Sequence, residues 1–427
     1  MNYYGTIDFP GDNVKQYPGL INRISGKEEA FLIYLKDVFK NILLSACIVA
    51  ACLTCDDKDK DNPPKPPVDD IITYEKILGT NASEYVRGGD LTNDGGCIIT
   101  GDQIIDGDFW AYLMRTNNTG DTLWMRRYRA PGNLYTSYGL GLAVQQTNDG
   151  GFIMVGDTQP DTNKPGDSDF YIVKTDANGD TLWTRFYDRS RTDGATSVKQ
   201  TSDGGYIISG NSARYLPDGG GVAYVFRLTS DGSWVWGRTI DEYGTTYAVE
   251  VNEDGAYMIT GDGAIVTKID PSGNTIWSKF YGRPFGNTLF AIDKTNDGGY
   301  VFAGKTEPAS GALPVAYLVR TDVKGDTLWT RSYPYLYSGD MRCVSSLPDG
   351  GFLMSGNTEK ADVIRTDSNG DTLWTRSFGD DLGGAGFIMG KPTEDGGFIF
   401  AGGIRLNRRD IYLVKTDSLG FVKSKNQ

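Results

Sequence analysis

The sequence predicts an all-β chain: a seven-bladed β-propeller of four-stranded antiparallel blades, its ring closed by an N-terminal strand that completes the last blade. Three observations carry this. An Asp-Gly-Gly turn recurs seven times, two turn motifs cut each repeat into four apolar runs, and the last repeat lacks a fourth run that turns up at the other end of the chain.

The Asp-Gly-Gly turns begin at Asp94, Asp149, Asp203, Asp254 (followed by Gly-Ala), Asp297, Asp349 and Asp395, 43 to 55 residues apart. A repeat of about 40–50 residues is the length of one propeller blade. In the second repeat, strands are expected near 142–147, 151–157, 169–175 and 181–187. The first two meet at Asn148-Asp149-Gly150-Gly151 and the last two at Asp176-Ala177-Asn178-Gly179-Asp180. Both turns offer residues that tolerate the positive φ of a tight hairpin. The runs between them are rich in Ile, Val, Phe, Tyr and Trp, as sheets buried between neighbours require.

The fourth run of each repeat carries a tryptophan: Trp124, Trp183, Trp236, Trp277, Trp329 and Trp374. Recurrence once per repeat assigns it to packing between blades. The seventh repeat stops near Phe421-Val422, short of a full fourth strand. Its missing piece is Thr73-Tyr74-Glu75-Lys76-Ile77-Leu78-Gly79, which aligns with Ile276–Gly282 and puts Tyr74 in the tryptophan slot. Closing the ring this way leaves no half-blade edge exposed.

Composition narrows the chemistry. The chain has 427 residues, 56 of them Gly, 12% aromatics and a net charge of −13. An acidic body argues against nucleic acid as a partner. There is no histidine. That excludes Ser-His-Asp and Cys-His nucleophile systems, HExxH zinc sites and His-ligated haem. Cys97 and Cys343 fall in apolar strand patterns and read as small buried thiols, with a disulfide between them as the alternative. No catalytic residue, cofactor or metal site is read from the sequence.

The N-terminal region reads as an address. Residues 42–51 form an apolar run behind Lys36 and Lys40, too short to span a bilayer but the length of a signal-peptide core. It ends Val49-Ala50-Ala51-Cys52, which resembles the lipobox of bacterial lipoproteins and makes Cys52 the lipidated residue. Residues 1–51 are therefore the signal region. Within it, 1–34 exceeds any n-region and reads as an extension upstream of a start near Leu35. Residues 52–70 are an acidic, Pro-rich tether that cannot bury apolar surface. Residues 71–427 are the propeller.

Repeats such as Asp203-Gly204-Gly205-Tyr206-Ile207-Ile208-Ser209-Gly210 and 366–379 (TDSNGDTLWTRSFG) resemble the propeller repeats of secreted and lipid-anchored Bacteroidetes proteins. The resemblance covers 72–427. It implies the fold and an extracytoplasmic address, and it transfers no catalytic residue. The acidic run after Cys52 is similar to the surface-export signal of such lipoproteins. Quinoprotein dehydrogenases and outer-membrane assembly scaffold lipoproteins are more distant likenesses. Here the turn before Trp183 is one residue shorter than theirs and lacks Thr-Gly-Lys, so quinone binding is not carried over. Sialidase Asp-boxes place Gly three residues before Trp, whereas Gly370 stands four before Trp374. Asp176–Asp180 lacks the carboxylates of an integrin-type calcium loop.

Strand alternation puts the uniform turns on one face and the irregular loops on the other. The irregular set holds Tyr135, Tyr138, Arg189, Arg191, Arg214, Tyr215, Arg283, Phe285, Tyr335, Tyr337 and Arg408, residue types favoured at recognition surfaces. The expectation is a monomeric ring, anchored to the outer membrane by lipid and exposed at the cell surface, with a periplasm-facing placement as the alternative. It is expected to bind a protein or glycan partner without catalysis. The alternative function is a carbohydrate-active enzyme using carboxylates on the irregular face. The address is testable: Cys52→Ser should move the protein from the membrane fraction to the soluble fraction. A variant that stays with membranes after a high-salt wash refutes the lipid anchor.

Overall fold

The computed structural model describes residues 71–129, 141–158, 167–213, 221–241, 244–282, 286–309, 311–337, 339–357, 360–379 and 384–423. All belong to one compact unit, Val68–Gln427.

Among the described residues there is no helix, and the strands form seven four-stranded antiparallel sheets. The chain opens with β1 (Tyr74–Leu78). Blade 1 follows with β2 (Ser83–Leu91), β3 (Cys97–Ile105), β4 (Asp108–Thr116) and β5 (Thr122–Tyr128). Blade 2 holds β6 (Ala143–Gln146), β7 (Phe152–Thr158), β8 (Asp169–Thr175) and β9 (Thr181–Tyr187). Blade 3 holds β10 (Thr192–Gln200), β11 (Tyr206–Ala213), β12 (Val222–Leu228) and β13 (Trp234–Asp241). Blade 4 holds β14 (Thr246–Val251), β15 (Tyr257–Gly261), β16 (Ile265–Ile269) and β17 (Thr275–Phe280). Blade 5 holds β18 (Thr288–Lys294), β19 (Tyr300–Thr306), β20 (Val315–Thr321) and β21 (Thr327–Tyr337). Blade 6 holds β22 (Asp340–Ser346), β23 (Phe352–Asn357), β24 (Ala361–Thr366) and β25 (Thr372–Phe378). Blade 7 joins β26 (Ala385–Pro392), β27 (Phe398–Arg405) and β28 (Arg409–Thr416) to β1.

The first strand of each blade touches its counterparts on both sides, and β2 meets β26, so the ring is closed. Apolar side chains gather in seven clusters, each shared by two neighbouring blades. The third strand is enclosed on both faces: β8 (DFYIVKT), β12 and β20 are buried throughout.

The turns explain the repeat. Thr92 N–H donates to Gly96 O (2.9 Å) and Gly95 N–H to Thr92 O (2.8 Å), with Gly95 at φ +78°. The turn aspartate then ties down a cation from the third strand. Arg115 reaches Asp94 (2.5 Å), Lys174 reaches Asp149 (2.9 Å), Lys268 reaches Asp254 (2.8 Å) and Lys415 reaches Asp395 (2.6 Å). Arg227–Asp203, Arg320–Asp297 and Arg365–Asp349 complete the set. The cations are buried, except Lys268, which is partly buried, while their partners are at least a third exposed. Burial raises the Asp94 carboxyl, but hydrogen bonds from Arg115, Thr92 and the Gly96 amide outweigh it and hold it below the ordinary carboxylate range.

Each buried cation stands opposite the fourth-strand aromatic: Arg115 opposite Trp124, Lys174 opposite Trp183 and Lys415 opposite Tyr74. Tyr74 therefore occupies the tryptophan slot. The aromatic packs on the 3–4 turn of the next blade. A methyl at Gly179 (φ +81°) would lie 2.9 Å from the Trp124 ring, and one at Gly120 would lie 2.6 Å from Tyr74. A cation two residues on covers each ring, 5.0–5.9 Å from its centroid. At the closing seam, Lys76 Nζ donates to Thr119 O (2.7 Å) and Asp121 (2.6 Å), as Lys279 does to Lys324 O and Asp326 between blades 4 and 5.

Deleting 72–78 removes Tyr74, Lys76 and five ladder positions on β28. The truncated protein should unfold more than about 5 °C below the parent in scanning calorimetry. An unchanged transition refutes closure by this strand.

Candidate functional site

Each inner strand runs from the irregular-loop face to the uniform-turn face, and together these strands enclose a central channel of about 810 Å³. That volume is in the range of ligand pockets.

The inner strands are not regular. A β-bulge interrupts β2 between Val86 and Gly88, leaving Arg87 unpaired. Equivalent bulges isolate Thr196, Tyr247, Phe290, Arg342 and Ile388. In blade 2 the slot falls to Leu142, just ahead of β6, whose amide donates to Val155 O (2.9 Å). All seven residues line the channel. A bulge re-aims a side chain out of the ladder, and here it does so once per blade at one level. The facing second-strand residue is glycine: a Cβ on Gly101 would stand 1.7 Å from Tyr85 O.

The channel thus has three tiers. The bulge tier lies nearest the irregular-loop face. Below it is a waist of mostly small side chains, Gly88, Ala143, Ser197, Ala248, Ala291 and Cys343, with Met389 at the equivalent place in blade 7. Near the uniform turns come Asp90, Gln145, Lys199, Glu250 and Lys391. Lys199 pairs with Glu250 (3.0 Å). Burial works against the Lys391 ammonium, but Cys343, Asp90, Asp293 and Glu250 outweigh it and hold it protonated.

The mouth groups cations with aromatics. Arg87 Nε donates to Asp102 Oδ1 (2.8 Å) and stacks near Tyr85 (5.4 Å); Arg409 covers the same ring at 4.7 Å. Across the channel, Arg342 lies 4.0 Å from the Phe290 centroid and bonds Asp340 (2.8 Å). Tyr247 meets Phe290 edge-on at 5.0 Å and donates to Asp262 Oδ1 (3.0 Å).

Asp102, Asp157 and Asp262 occupy one position in three blades, directly after the second-strand glycine. Burial first, then the charge of Asp102, pushes Asp157 well above the ordinary carboxylate range, and Arg87 opposes this. Asp157 Oδ1 and Asp102 Oδ2 are buried without a hydrogen-bond partner among the described residues. Among those residues, no three Asp, Glu or Cys side chains converge as metal ligands. The Asp176 carboxylate of the blade 2 hairpin turn accepts the Asn178 and Asp180 amides (both 2.9 Å).

Of the residues expected at the recognition face, the side chains of Arg189, Arg191 and Arg408 are described, and none of the three lines the channel. Arg189 is exposed and lies 3.9 Å from the Tyr224 centroid, on the outer part of blade 3; Arg191 is exposed on the same link. Neither lines the channel. Arg408 ties back to Asp410 (3.0 Å). Tyr335 and Tyr337 belong to β21 rather than to a loop, because the strand runs on through Pro334; their side chains lie outside the described residues. Tyr135, Tyr138, Arg214, Tyr215, Arg283, Phe285 and Cys52 also lie outside them. Of the two thiols read as buried, Cys97 is enclosed and Cys343 borders the channel; both are free. The bulge residues were missed, although a glycine within each second strand marks them.

Among solved structures, the chain resembles the WD40 β-propeller domain of Doa1, with 13% identity over 79% of this chain and 95% of that one and a TM-score of 0.53. It also resembles streptogramin B lyase (13% identity, 81% and 98%, TM-score 0.51) and the Neurospora crassa Pan2 WD40 domain (11%, 80% and 92%, TM-score 0.50). At such identities the likeness shows the fold alone. No family model matches the sequence, and no curated protein matches it.

Asp157 offers a test of this mouth's electrostatics. A carboxyl with a raised folded pKa contributes stability below its unfolded pKa and loses it as pH rises through the folded value. Asp157→Asn should match the parent near pH 4 and melt at higher temperature as pH approaches 9. A variant less stable at every pH refutes a protonated Asp157.

Proposed function

We propose that this chain is a lipid-anchored, non-catalytic binding propeller of the Bacteroidetes surface type, with its recognition site at the channel mouth on the irregular-loop face. The lipobox ending at Cys52 and the acidic tether support the address. One observation carries the site: a repeating frame presents a non-repeating tier of Arg87, Leu142, Thr196, Tyr247, Phe290, Arg342 and Ile388 through its bulges. Residues that vary where the scaffold is constant are those freed from packing. Arginine and aromatic side chains are also the types that dominate recognition energetics. The partner is a protein or a glycan.

A second reading, a carbohydrate-active enzyme, has one observation behind it. Asp102 and Asp157 each keep a buried, unpartnered carboxyl oxygen beside Arg87, and environments that shift carboxyl pKa values gather at active sites. Loss of glycan cleavage on Asp157→Asn would favour it.

The binding reading is tested by affinity capture from intact envelope, with the full Cys52→Ser chain as bait. Arg87→Ala with Arg342→Ala should reduce capture at least tenfold while the fold is kept. Asp180→Asn with Asp371→Asn, on exposed uniform turns, should leave it unchanged. The opposite pattern places recognition on the other face.

A further inference from the structure

We propose that the channel mouth takes a carboxylate, presented end-on by a slender organic ligand: a free organic acid or the uronic-acid end of a glycan. This rests on the reading of the mouth as the recognition site and names the chemistry it recognises.

The charge distribution points there first. The chain carries −13 overall, yet four arginines, Arg87, Arg342, Arg405 and Arg409, line the upper channel directly with Glu84, while Asp102, Asp157, Asp262 and Asp340 stand behind them. Glu84 Oε1 accepts from Thr80 and Gln103, while its Oε2 is buried without a hydrogen-bond partner among the described residues. Asp102 and Asp340 offset Arg87 and Arg342. Arg405 and Arg409 face each other in the β27–β28 ladder and form no ion pair among the described residues. Arg409 also lends its charge to the Asp102 carboxyl, and both guanidinium groups stand beside a channel, where low-dielectric walls focus the field on an approaching anion.

Geometry selects the kind of anion. A guanidinium is a planar fork that matches a carboxylate with two parallel hydrogen bonds. Tyr85, lying between Arg87 and Arg409, restrains two of these forks. The rest of the bulge tier, Leu142, Phe290 and Ile388, suits an organic frame better than a bare inorganic ion. Beneath it the waist of Gly88, Ala143, Ser197, Ala248 and Ala291 leaves room for a narrow body and offers no charge to repel it.

The test uses the purified full-length chain and five probes: hexanoate, 1-hexanol, digalacturonate, its neutral galactose disaccharide and inorganic phosphate. Calorimetric titration measures binding. Modification of Cys343 by a thiol reagent, located by peptide mapping, reports on occupancy of the waist. One carboxylate probe should bind at least tenfold more tightly than its neutral counterpart and slow Cys343 modification. Which one does so separates a free acid from a glycan end. Arg405→Ala with Arg409→Ala should weaken that binding at least tenfold at an unchanged melting temperature, because neither side chain holds an ion pair. The proposal is overturned if neither carboxylate binds, if the neutral counterpart binds equally, if phosphate binds more tightly, or if Cys343 stays equally reactive. Should Arg87→Ala with Arg342→Ala lower partner capture while no carboxylate binds, the ligand class falls and the recognition reading stands. If that variant leaves capture unchanged, the recognition reading itself falls.

Discussion

Taking a guanidinium or ammonium group out of water is costly, and every blade does so once. The charge of Arg115, or its counterpart in another blade, is accepted because the Asp-Gly-Gly turn delivers a carboxylate to it within the same sheet. Stranding one partner of a buried pair costs about 3–5 kcal/mol, an upper bound here because the aspartate half is exposed. Much follows from this contact. It fixes where the first hairpin turns. It requires glycine at Gly96, where a Cβ would stand 2.0 Å from Thr116 O and 2.6 Å from Arg115. It also sets the register that places an aromatic opposite the cation and against the next blade's turn. In blade 4 the second glycine is Ala256, and there the cation is the slimmer Lys268.

A frame so strictly repeated would by itself give a channel with near sevenfold symmetry. The bulges break that symmetry without disturbing the blades. Each lifts one residue out of the ladder and turns its side chain to the channel, although Thr196 still bonds Ser209 O and Thr246 O and Arg87 still bonds Asp102. Arginine, tyrosine and isoleucine stand at the same level with no cost to the fold. The waist varies less, with small side chains in six blades and Met389, packed into the core between blades 7 and 1, in the seventh. Specificity and stability are therefore assigned to different residues on the same strand, one position apart.

The ring was legible in the sequence because its determinants repeat. Asp149 and Gly150 recur in six other places, and the tryptophan slot could be followed to Tyr74 by alignment. The register bears this out, with Tyr74 opposite Lys415 as Trp374 is opposite Arg365. The mouth was harder to read for the same reason. Arg87, Leu142 and Phe290 share nothing except their position, seven residues ahead of the turn aspartate. The signal lay across the sheet, in the second-strand glycines such as Gly101, which a bulged neighbour demands. Arg189 was chosen for residue type and loop position. Its outward stacking on Tyr224 depends on the three-dimensional path of the link, which periodicity does not encode.

The outer strand of a blade starts at the uniform-turn face, so the chain joins the ring at Tyr74 on the side opposite the channel mouth. A lipid anchor upstream, as proposed above, would attach to the ring on that side. It would also direct mechanical load. Tension on the N-terminus acts along β1, perpendicular to its five rungs with β28, and strains them together in shear instead of unzipping them singly. Lys76, bound to Thr119 O and Asp121, shares that load with blade 1. On the proposed anchoring and binding, the strand that closes the ring would also bear the drag of a captured ligand.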